Sequence, residues 1–296
     1  MRKLRKTAKL FFILFIFLAF LFVPFLQARA AVTTPLGHSP TGEAIKVLLV
    51  PGHDNDVWGT QYGDIKEADM TLALTTRIYN ILKKDKRFDV HVTRDSQGYT
   101  KEFADYFSLQ RDEILAFKEN AKKEMKDKIT NGGFIERENV VHNTVTENTS
   151  VILYGINKWA NENKMDMILH IHFNDYPREW KWTIGKYKGF VVYMPDEQMA
   201  NWMESGKLAA YIYVQLARKY VSSTYEKELG GLVLDQKLIA LGSNGTLASG
   251  VRSVLVEYGY IYEKRFRTNS ARLQSYKDMS TLTVQGINNY FFNKYK

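Results

Sequence analysis

The segment MILHIHFND, Met167–Asp175, places two histidines in an otherwise apolar run. Side chains two residues apart on a β-strand project to the same face, so a strand here puts His170, His172 and Asn174 on one side. A strand that is apolar on one face and ends in polar groups indicates a functional site at that end. The same pattern also fits a strand that runs out into solvent, and these nine residues do not decide between the two.

Two other predicted strands end in a histidine or a glutamate, residue types that bind metals or transfer protons. A further glutamate lies at the start of a predicted helix. The segment IKVLLVPGH ends at His53, SVLVE ends at Glu257, and the first amphipathic helix begins near Glu67. Ligand sites in open α/β sheets lie beyond the carboxyl ends of the strands. Polar groups at three strand ends therefore favour one shared site over a solvated sheet edge.

The residue types define the chemistry that such a site supports. Two histidines and one carboxylate are sufficient protein ligands for a catalytic zinc ion, which keeps an open position for water. A further carboxylate that does not bind the metal is then able to activate that water. The chain has no cysteine, which excludes Cys-based metal sites and disulfides, and it lacks the HExxH motif of zincin helices.

Positioning these groups requires strands that alternate with helices, and the sequence has this order. Its strand-like segments are IKVLLVPGH, FDVHVTRD, MILHIHFND, KGFVVYM and VRSVLVEYGYI, with helical patterns between them. The first helix, EADMTLALTTRIYNILKK, repeats apolar residues at helical spacing. We therefore predict an α/β fold, a single domain with a mostly parallel, twisted sheet and helices on both faces.

The stretch before the histidine strand is long and polar. A charged helix is predicted to begin at an N-cap formed by Ser108, and the segment TNGGFIERENVVHNTVTEN after it indicates an inserted loop. The sequence alone assigns no role to the insertion around residues 118–148.

The N-terminus has the organisation of an export signal. A basic stretch, MRKLRKTAK, precedes an apolar run from Leu10 to Leu26 and the small-residue pattern Ala28–Ala30. The run is also near the lower length limit of a membrane span, so residues 1–30 are predicted to be a signal peptide or a membrane anchor. We predict a linker at 31–44 and a catalytic domain at 45–296. In either case the domain is expected outside the cytoplasmic membrane: periplasmic, associated with the cell wall or extracellular.

The positive charge of the chain is concentrated in this leader. The formal net charge is +9, but six of the 41 basic residues and no acidic residue lie within the first thirty positions. The remaining chain has 35 basic and 32 acidic residues, a net charge of +3. Charge therefore gives no reason to expect a nucleic-acid partner.

Taken in order, these segments resemble the zinc-dependent N-acetylmuramoyl-L-alanine amidases of the amidase_3 type, which cleave peptidoglycan. VLLVPGHDND resembles the family's opening strand and Pro-Gly-His turn, and GDIKEADMTLALTTRIYNIL resembles its Gly-x-x-x-Glu segment and first helix. VHVTRD and FSLQRDEI resemble its Thr-Arg and Leu-x-x-Arg blocks. LHIHFND resembles its Ser-x-His-x-Asn strand, and VLVEYGYI its final Glu strand. The resemblance covers almost the whole chain from Ile45 onward.

The resemblance implies a role for each candidate residue. It makes His53, Glu67 and His172 the ligands of Zn²⁺ and Glu257 the catalytic carboxylate. Asn174 would shape the site beside the metal. His170 stands at a position usually held by Ser, and it would contact a ligand residue, contact the substrate or simply fill space. The implied reaction is hydrolysis of the amide bond between N-acetylmuramic acid and L-alanine, with peptidoglycan as the partner. The leader itself predicts a membrane tether through residues 1–30 if they are not cleaved.

Three departures from the family pattern keep other functions open. Val50 stands where the family usually has Asp, Asp54-Asn55 replaces a Gly-Gly pair, and the final strand continues as YIYEKRF where Ser-Asn is usual. One alternative is a non-catalytic wall-binding or regulatory module with the same fold. Another is a zinc peptidase that acts on a different peptide, because substrate choice depends on loops.

An aromatic segment follows the histidine strand. REWKWTIGKY contains two tryptophans and a tyrosine within ten residues. Such residues either line a glycan groove or cover an edge of the core, and the sequence favours neither interpretation.

Overall fold

The computed structural model of the chain describes residues 43–292 except 139 and 143. The strands, β1 to β10 in chain order, are Ile45–Pro51, Gln61–Tyr62, Ile65–Lys66, Phe88–Val92, Arg94–Asp95, Gly98–Tyr99, Met167–Asn174, Val191–Pro195, Leu232–Asp235 and Arg252–Tyr260. The helices, α1 to α7, are Glu67–Leu82, Lys101–Leu109, Arg111–Thr130, Glu147–Glu162, Trp202–Ala217, Lys264–Arg267 and Asn269–Phe292.

The central sheet has six strands in the order β4-β1-β7-β10-β8-β9. Strands β4, β1, β7 and β10 are parallel, so the carboxyl ends of β1, β7 and β10 meet at one edge. Strand β8 runs antiparallel to β10, and β9 runs parallel to β8. The predicted α/β class with a mostly parallel sheet is thus confirmed, and the reversed pair at one side is an addition that the sequence pattern did not predict.

The sequence explains why the central strands occupy the middle of the sheet. Residues Val47, Leu48 and Leu49 of β1 are buried, as are most residues of β7. Parallel strands covered on both faces read as continuous apolar runs, and the core of this sheet follows that rule.

Helices cover both faces, as predicted. On one face α1 buries the expected apolar stripe, and α1, α5 and α7 pack together there. On the other face Trp159 of α4 and Phe103 of α2 pack with Leu48 and Ile168 of the sheet. His170 and His172 share this second face with Ile168, because they are two and four residues further along β7.

The insertion differs in detail from the prediction. The predicted charged helix corresponds to α3, which begins at Arg111. A separate helix, α2, precedes it, and Ser108 lies inside α2 instead of capping a helix. Residues 131–146, as far as they are described, contain no helix or strand. This stretch is attached to the sheet, since Val140 packs against the core cluster that contains Val191 and Tyr193 of β8, and His142 Nε2 lies 2.7 Å from Asp235 Oδ2.

The predictions for residues 1–30, and for nearly all of the linker at 31–44, concern positions outside the described part of the chain. Between residues 43 and 292, leaving aside positions 139 and 143, no helix has the length and apolar character needed to cross a membrane.

Candidate metal centre

Three side chains predicted as metal ligands meet at the carboxyl edge of the sheet. His53 lies in the turn after β1, Glu67 is the first residue of α1, and His172 lies near the end of β7. One nitrogen from each histidine and one carboxylate oxygen lie within 4.8 Å of one another. His53 Nε2 is 3.1 Å from Glu67 Oε2, and His172 Nδ1 is 3.1 Å from Glu67 Oε1. We call these three residues the metal group.

Glu67 is fixed by the backbone as well as by the histidines. Its carboxylate is buried and accepts hydrogen bonds from the backbone N–H groups of Thr60, at 3.0 Å, and Phe173, at 3.1 Å. Burial alone would raise the pKa of Glu67, but the charges and hydrogen bonds of His53 and His172 outweigh it and hold that pKa well below its usual value. Glu67 is therefore a carboxylate that is preorganised at the centre of the group.

The two histidines differ in how readily they take a proton. Burial lowers the pKa of His53, but the adjacent Glu67 carboxylate outweighs this effect and raises it. Burial lowers the pKa of His172, and contact with Glu67 only partly offsets the decrease. Because a metal ligand must offer an unprotonated nitrogen, the lowered pKa of His172 favours its metal-binding form, whereas the raised pKa of His53 opposes it.

The backbone around the group is shaped to bring the ligands close. His53 has a φ of +62°, a left-handed conformation that non-glycine residues keep mainly where the surrounding structure requires it. A Cβ atom at Gly52 would overlap the His172 ring, and one at Gly59 would overlap the Glu67 carboxylate. Two imidazoles and one carboxylate in this cradle form a donor set that fits Zn²⁺.

Glu257 lies directly beside the metal group. It pairs with His172 across β10 and β7, and its Oε2 is buried with no hydrogen-bond partner among the described residues. Burial raises the pKa of Glu257 well above its usual value, and the negative charges of Glu67 and Glu228 add to the increase. A carboxyl oxygen that is buried without a donor is costly for stability, which is typical of a group retained for chemistry.

His170 is not a member of the metal group. It precedes His172 by two residues on β7, pairs with Val50 of β1 and Leu255 of β10, and is 1% exposed. Burial and the neighbouring His172 lower the pKa of His170 to about 3, so this ring is neutral. Its Nε2 has no partner in the described part of the structure.

Sequence reasoning missed Glu228, which organises the polar groups next to Glu257. This carboxylate accepts hydrogen bonds from Asn174 Nδ2 at 2.9 Å, Tyr193 Oη at 2.7 Å and Tyr260 Oη at 3.0 Å, and from the Ser223 hydroxyl. We call these five residues the Glu228 cluster. Its local sequence, TYEKELGG, is typical of an exposed charged turn, so no local signal identified it.

The structure accommodates two departures from the family pattern. Val50 is buried in the core cluster that contains Phe103 and Trp159. Asp54 Oδ1 accepts hydrogen bonds from the backbone N–H groups of Asp56, at 3.0 Å, and Val57, at 2.7 Å, while Tyr99 donates to its Oδ2 at 3.2 Å. Neither residue disturbs the metal group, because Val50 fills core space and Asp54 caps its own turn.

Comparisons with known proteins agree with this geometry. The sequence model of the family described as N-acetylmuramoyl-L-alanine amidase (Amidase_3) matches residues 47–289, which is most of the chain. The protein therefore belongs to the N-acetylmuramoyl-L-alanine amidase family. No match was found among curated proteins.

Solved amidase structures share the fold at low sequence identity. The CwlD amidase of Clostridioides difficile, solved with the GerS lipoprotein, is 15% identical, with a TM-score of 0.53 over 83% of this chain and 98% of that one. An N-acetylmuramoyl-L-alanine amidase of Clostridium difficile 630 is 17% identical, with a TM-score of 0.52 over 86% and 100%. Ami1 of Mycobacterium smegmatis is 18% identical, with a TM-score of 0.52 over 84% and 97%.

Proposed function

We propose that this protein is a zinc-dependent amidase that hydrolyses the bond between N-acetylmuramic acid and L-alanine in peptidoglycan. The observation that carries the proposal is the meeting of His53, Glu67 and His172 at one sheet edge, with Glu257 in register beside His172. Membership of the amidase family supports the reaction class, and the donor set supports zinc as the metal.

Three residues would hold the ion. They are His53, Glu67 and His172, and one potential ligand atom from each lies within 4.8 Å of the other two. When bound, zinc supplies Lewis-acid polarisation of the scissile carbonyl and lowers the pKa of the attacking water. The backbone N–H groups of Thr60 and Phe173 keep the Glu67 carboxylate oriented, so the ligand set needs little rearrangement.

Glu257 is the proton carrier in this proposal. A carboxylate oxygen of Glu257 takes a proton from the attacking water and delivers it to the nitrogen of the departing L-alanyl amine. A raised pKa suits the second half of this task, because the protonated carboxyl group must be stable long enough to donate. A cation held by the metal group would counteract part of this increase and favour the carboxylate form of Glu257.

Two further residues are assigned supporting roles. Asn174 is held by Glu228 through Nδ2, and its Oδ1 accepts the Asp175 N–H at 2.8 Å, so the amide has one fixed orientation beside the site. We propose that it contacts the substrate. His170 fills the space beneath His172 as a neutral ring and supports it from the core side.

The proposal extends to the organisation and location of the chain. Residues 45–296 form the catalytic domain, and residues 1–30 direct it out of the cytoplasm as a signal peptide or membrane anchor. A substrate in the cell wall requires a location at the wall or outside the cell, which agrees with such a leader.

The direct test is cell-wall hydrolysis by the purified protein. Incubation with zinc and purified sacculi should release peptides that carry a free L-alanine amino group, and a chelator should stop the release. Absence of release by zinc-loaded protein, while a known amidase digests the same sacculi, would contradict the proposed function. Release of other peptide ends would favour the zinc peptidase instead.

The wall-binding module is distinguished by metal content. A folded protein that sediments with sacculi but keeps no zinc under non-chelating conditions would favour the module over the enzyme. The complete donor set of the metal group favours the enzyme.

A further inference from the structure

A second surface lies on the loop after β7, away from the metal group itself. In this loop, residues 175–187, the side chains of Trp180 and Trp182 are 55% and 60% exposed. Their rings are nearly parallel, with an angle of 8° and centroids 5.9 Å apart. We call the two residues the tryptophan pair. Ile184, which is also exposed, extends the apolar surface beside it.

A buried arginine fixes the shape of this loop. The Arg178 side chain is only 5% exposed and binds Asp175 through Nε and Nη2, both at 2.8 Å. It also donates to the backbone carbonyls of Gln61 and Lys181 at 2.8 Å and of Thr183 at 3.2 Å. Lys181 and Thr183 flank Trp182, so the arginine holds the backbone that presents the tryptophan pair.

Hydrogen bonds connect the same loop to the metal group. The Thr60 N–H donates to the Glu67 carboxylate, and the Thr60 hydroxyl donates to Asp175 at the base of the loop. The Gly63 N–H donates to the Lys181 carbonyl at 3.1 Å. The loop that carries the tryptophan pair therefore starts at the carboxyl end of β7, directly after His172 and Asn174, and is hydrogen-bonded to the segment that orients Glu67. Ligand sites in such sheets lie beyond this edge, so the pair is placed on the side of the sheet where a substrate would bind.

The charges of this surface favour an uncharged ligand. Arg178 is consumed by Asp175 and the backbone, and Lys186 Nζ lies 3.2 Å from Glu226 Oε1. Lys181, exposed between the two tryptophans, is the one basic side chain of residues 175–187 without a described ion pair. A single cation falls short of the cluster of Lys and Arg side chains by which a protein holds an anionic membrane surface. Parallel aromatic faces, in contrast, suit flat and uncharged rings, because sugar C–H groups carry partial positive charge and the aromatic face is negative.

We infer that Trp180 and Trp182 form a subsite for the N-acetylhexosamine rings of a glycan strand, next to the candidate metal centre. This inference rests on the proposed function, since it assigns the substrate's sugar side to the loop after β7. The pair stacks on the pyranose faces of sugars beyond the one that carries the reacting amide. The subsite gives the protein a preference for polymeric over single-sugar substrates.

Binding to a sugar polymer tests the inference without turnover. The probe is chitotetraose, a chain of four β-1,4-linked N-acetylglucosamine units, added to the full chain in the presence of a chelator and followed by calorimetry. Trp180→Ala and Trp182→Ala should each weaken binding roughly three- to tenfold, the effect of losing one aromatic contact. Trp202→Ala is the matched control, because Trp202 is a partly exposed tryptophan at the start of α5 and should leave the affinity unchanged.

The results separate this inference from the proposed function. Weaker chitotetraose binding by the two loop variants supports the subsite even if wild-type protein does not cleave sacculi. Sacculi cleavage with equal chitotetraose affinity in all variants, or no binding by the wild type, overturns the subsite and leaves the proposed function intact.

A second measurement compares membrane contact. Wild type and the Trp180→Ala/Trp182→Ala double variant share the same N-terminus, so any difference in sedimentation with phosphatidylglycerol-phosphatidylethanolamine vesicles reports on the loop. A loss of vesicle binding in the double variant, with unchanged chitotetraose affinity, would overturn the subsite in favour of a membrane contact.

Discussion

The metal group and the Glu228 cluster are each centred on a buried glutamate, and the charges of both glutamates act on Glu257. Glu67 is 4% exposed and faces two imidazoles, whereas Glu228 is 2% exposed and faces two tyrosines, one serine and one asparagine. The first carboxylate has partners that offer lone pairs. The partners of Glu228, in contrast, act only as hydrogen-bond donors to its carboxylate.

This difference separates two uses of the same residue type. Imidazole nitrogens and a carboxylate oxygen converge on a point where a cation would replace their mutual contacts. Hydroxyl and amide donors around Glu228 instead satisfy its oxygens completely and leave no position for an ion. Glu257 has neither arrangement, since its buried Oε2 has no donor within the described structure. The surroundings, and not the residue type, distinguish ligand, support and proton carrier.

The largest expected effect is the loss of metal when a ligand is removed. His172→Ala takes one of three protein ligands, so zinc content and activity should both fall to background. The measurements are metal content by atomic emission and turnover of sacculi. His170→Ala should keep its zinc, because His170 lies outside the metal group, and His91→Ala, at a half-buried histidine on β4, controls for the loss of any imidazole.

Zinc retained by His172→Ala would contradict the ligand assignment. Loss of zinc in His170→Ala alone would show that the other histidine of the pair is the ligand. In both cases the metal group would have to be rebuilt around a different histidine.

The next largest effect is expected at Glu257, which is proposed to carry a proton, whereas Glu67 is proposed to bind the metal. Glu257→Gln keeps the size of the side chain and removes its ability to carry a proton. Turnover should fall by about 10²–10⁴-fold, the usual contribution of a general acid–base group, while zinc content stays at the wild-type value. Normal turnover by the variant, or loss of its zinc, would refute the role of proton carrier.

The sequence predicted the metal side of this comparison but not the Glu228 side. His53, His172 and Glu257 follow apolar runs whose parallel pairing brings their ends together, so local patterns were sufficient to place them at one edge. Glu228 is 54 residues from its partner Asn174, and its burial depends on the path of a turn that no periodicity encodes. The reversed direction of β8 was also missed, because alternation and hydrophobicity do not specify strand polarity.

A smaller effect is expected from neutralising the centre of the Glu228 cluster. Glu228→Gln places an NH₂ group against hydroxyl donors and replaces charge-assisted hydrogen bonds by neutral ones. We expect a loss of about 1–3 kcal/mol in the free energy of unfolding, with zinc still bound. Denaturant unfolding measures the change. Glu226→Gln, at an exposed neighbour, is the control and should leave stability almost unchanged.

Equal stability of the Glu228→Gln variant and the wild type would show that the cluster is not a stabilising element. A decrease of the same size in Glu226→Gln would show that the turn as a whole, and not the buried carboxylate, is responsible.

The smallest effect is a pH-dependent gain in stability when Glu257 is neutralised in zinc-free protein. The pKa of Glu257 is raised above its ordinary value of 4.5 by burial and by Glu67 and Glu228, so the folded state holds its proton more tightly than the unfolded state. Its stabilising contribution is complete below about pH 4.5 and is lost as pH rises through the folded pKa. At neutral pH the wild type therefore carries a penalty that Glu257→Gln avoids, and the variant should melt at a higher temperature than the wild type.

This difference in melting temperature should grow from about pH 4 to about pH 8 in the presence of a chelator, and thermal unfolding of both proteins across that range measures it. Added zinc should shrink the difference, because a cation beside Glu257 stabilises the carboxylate of the wild type and offers nothing to the amide. A difference that is independent of pH would mean that Glu257 titrates alike in the folded and unfolded chain. The contrast between an unpartnered carboxyl group and its two satisfied neighbours would then have no consequence for stability.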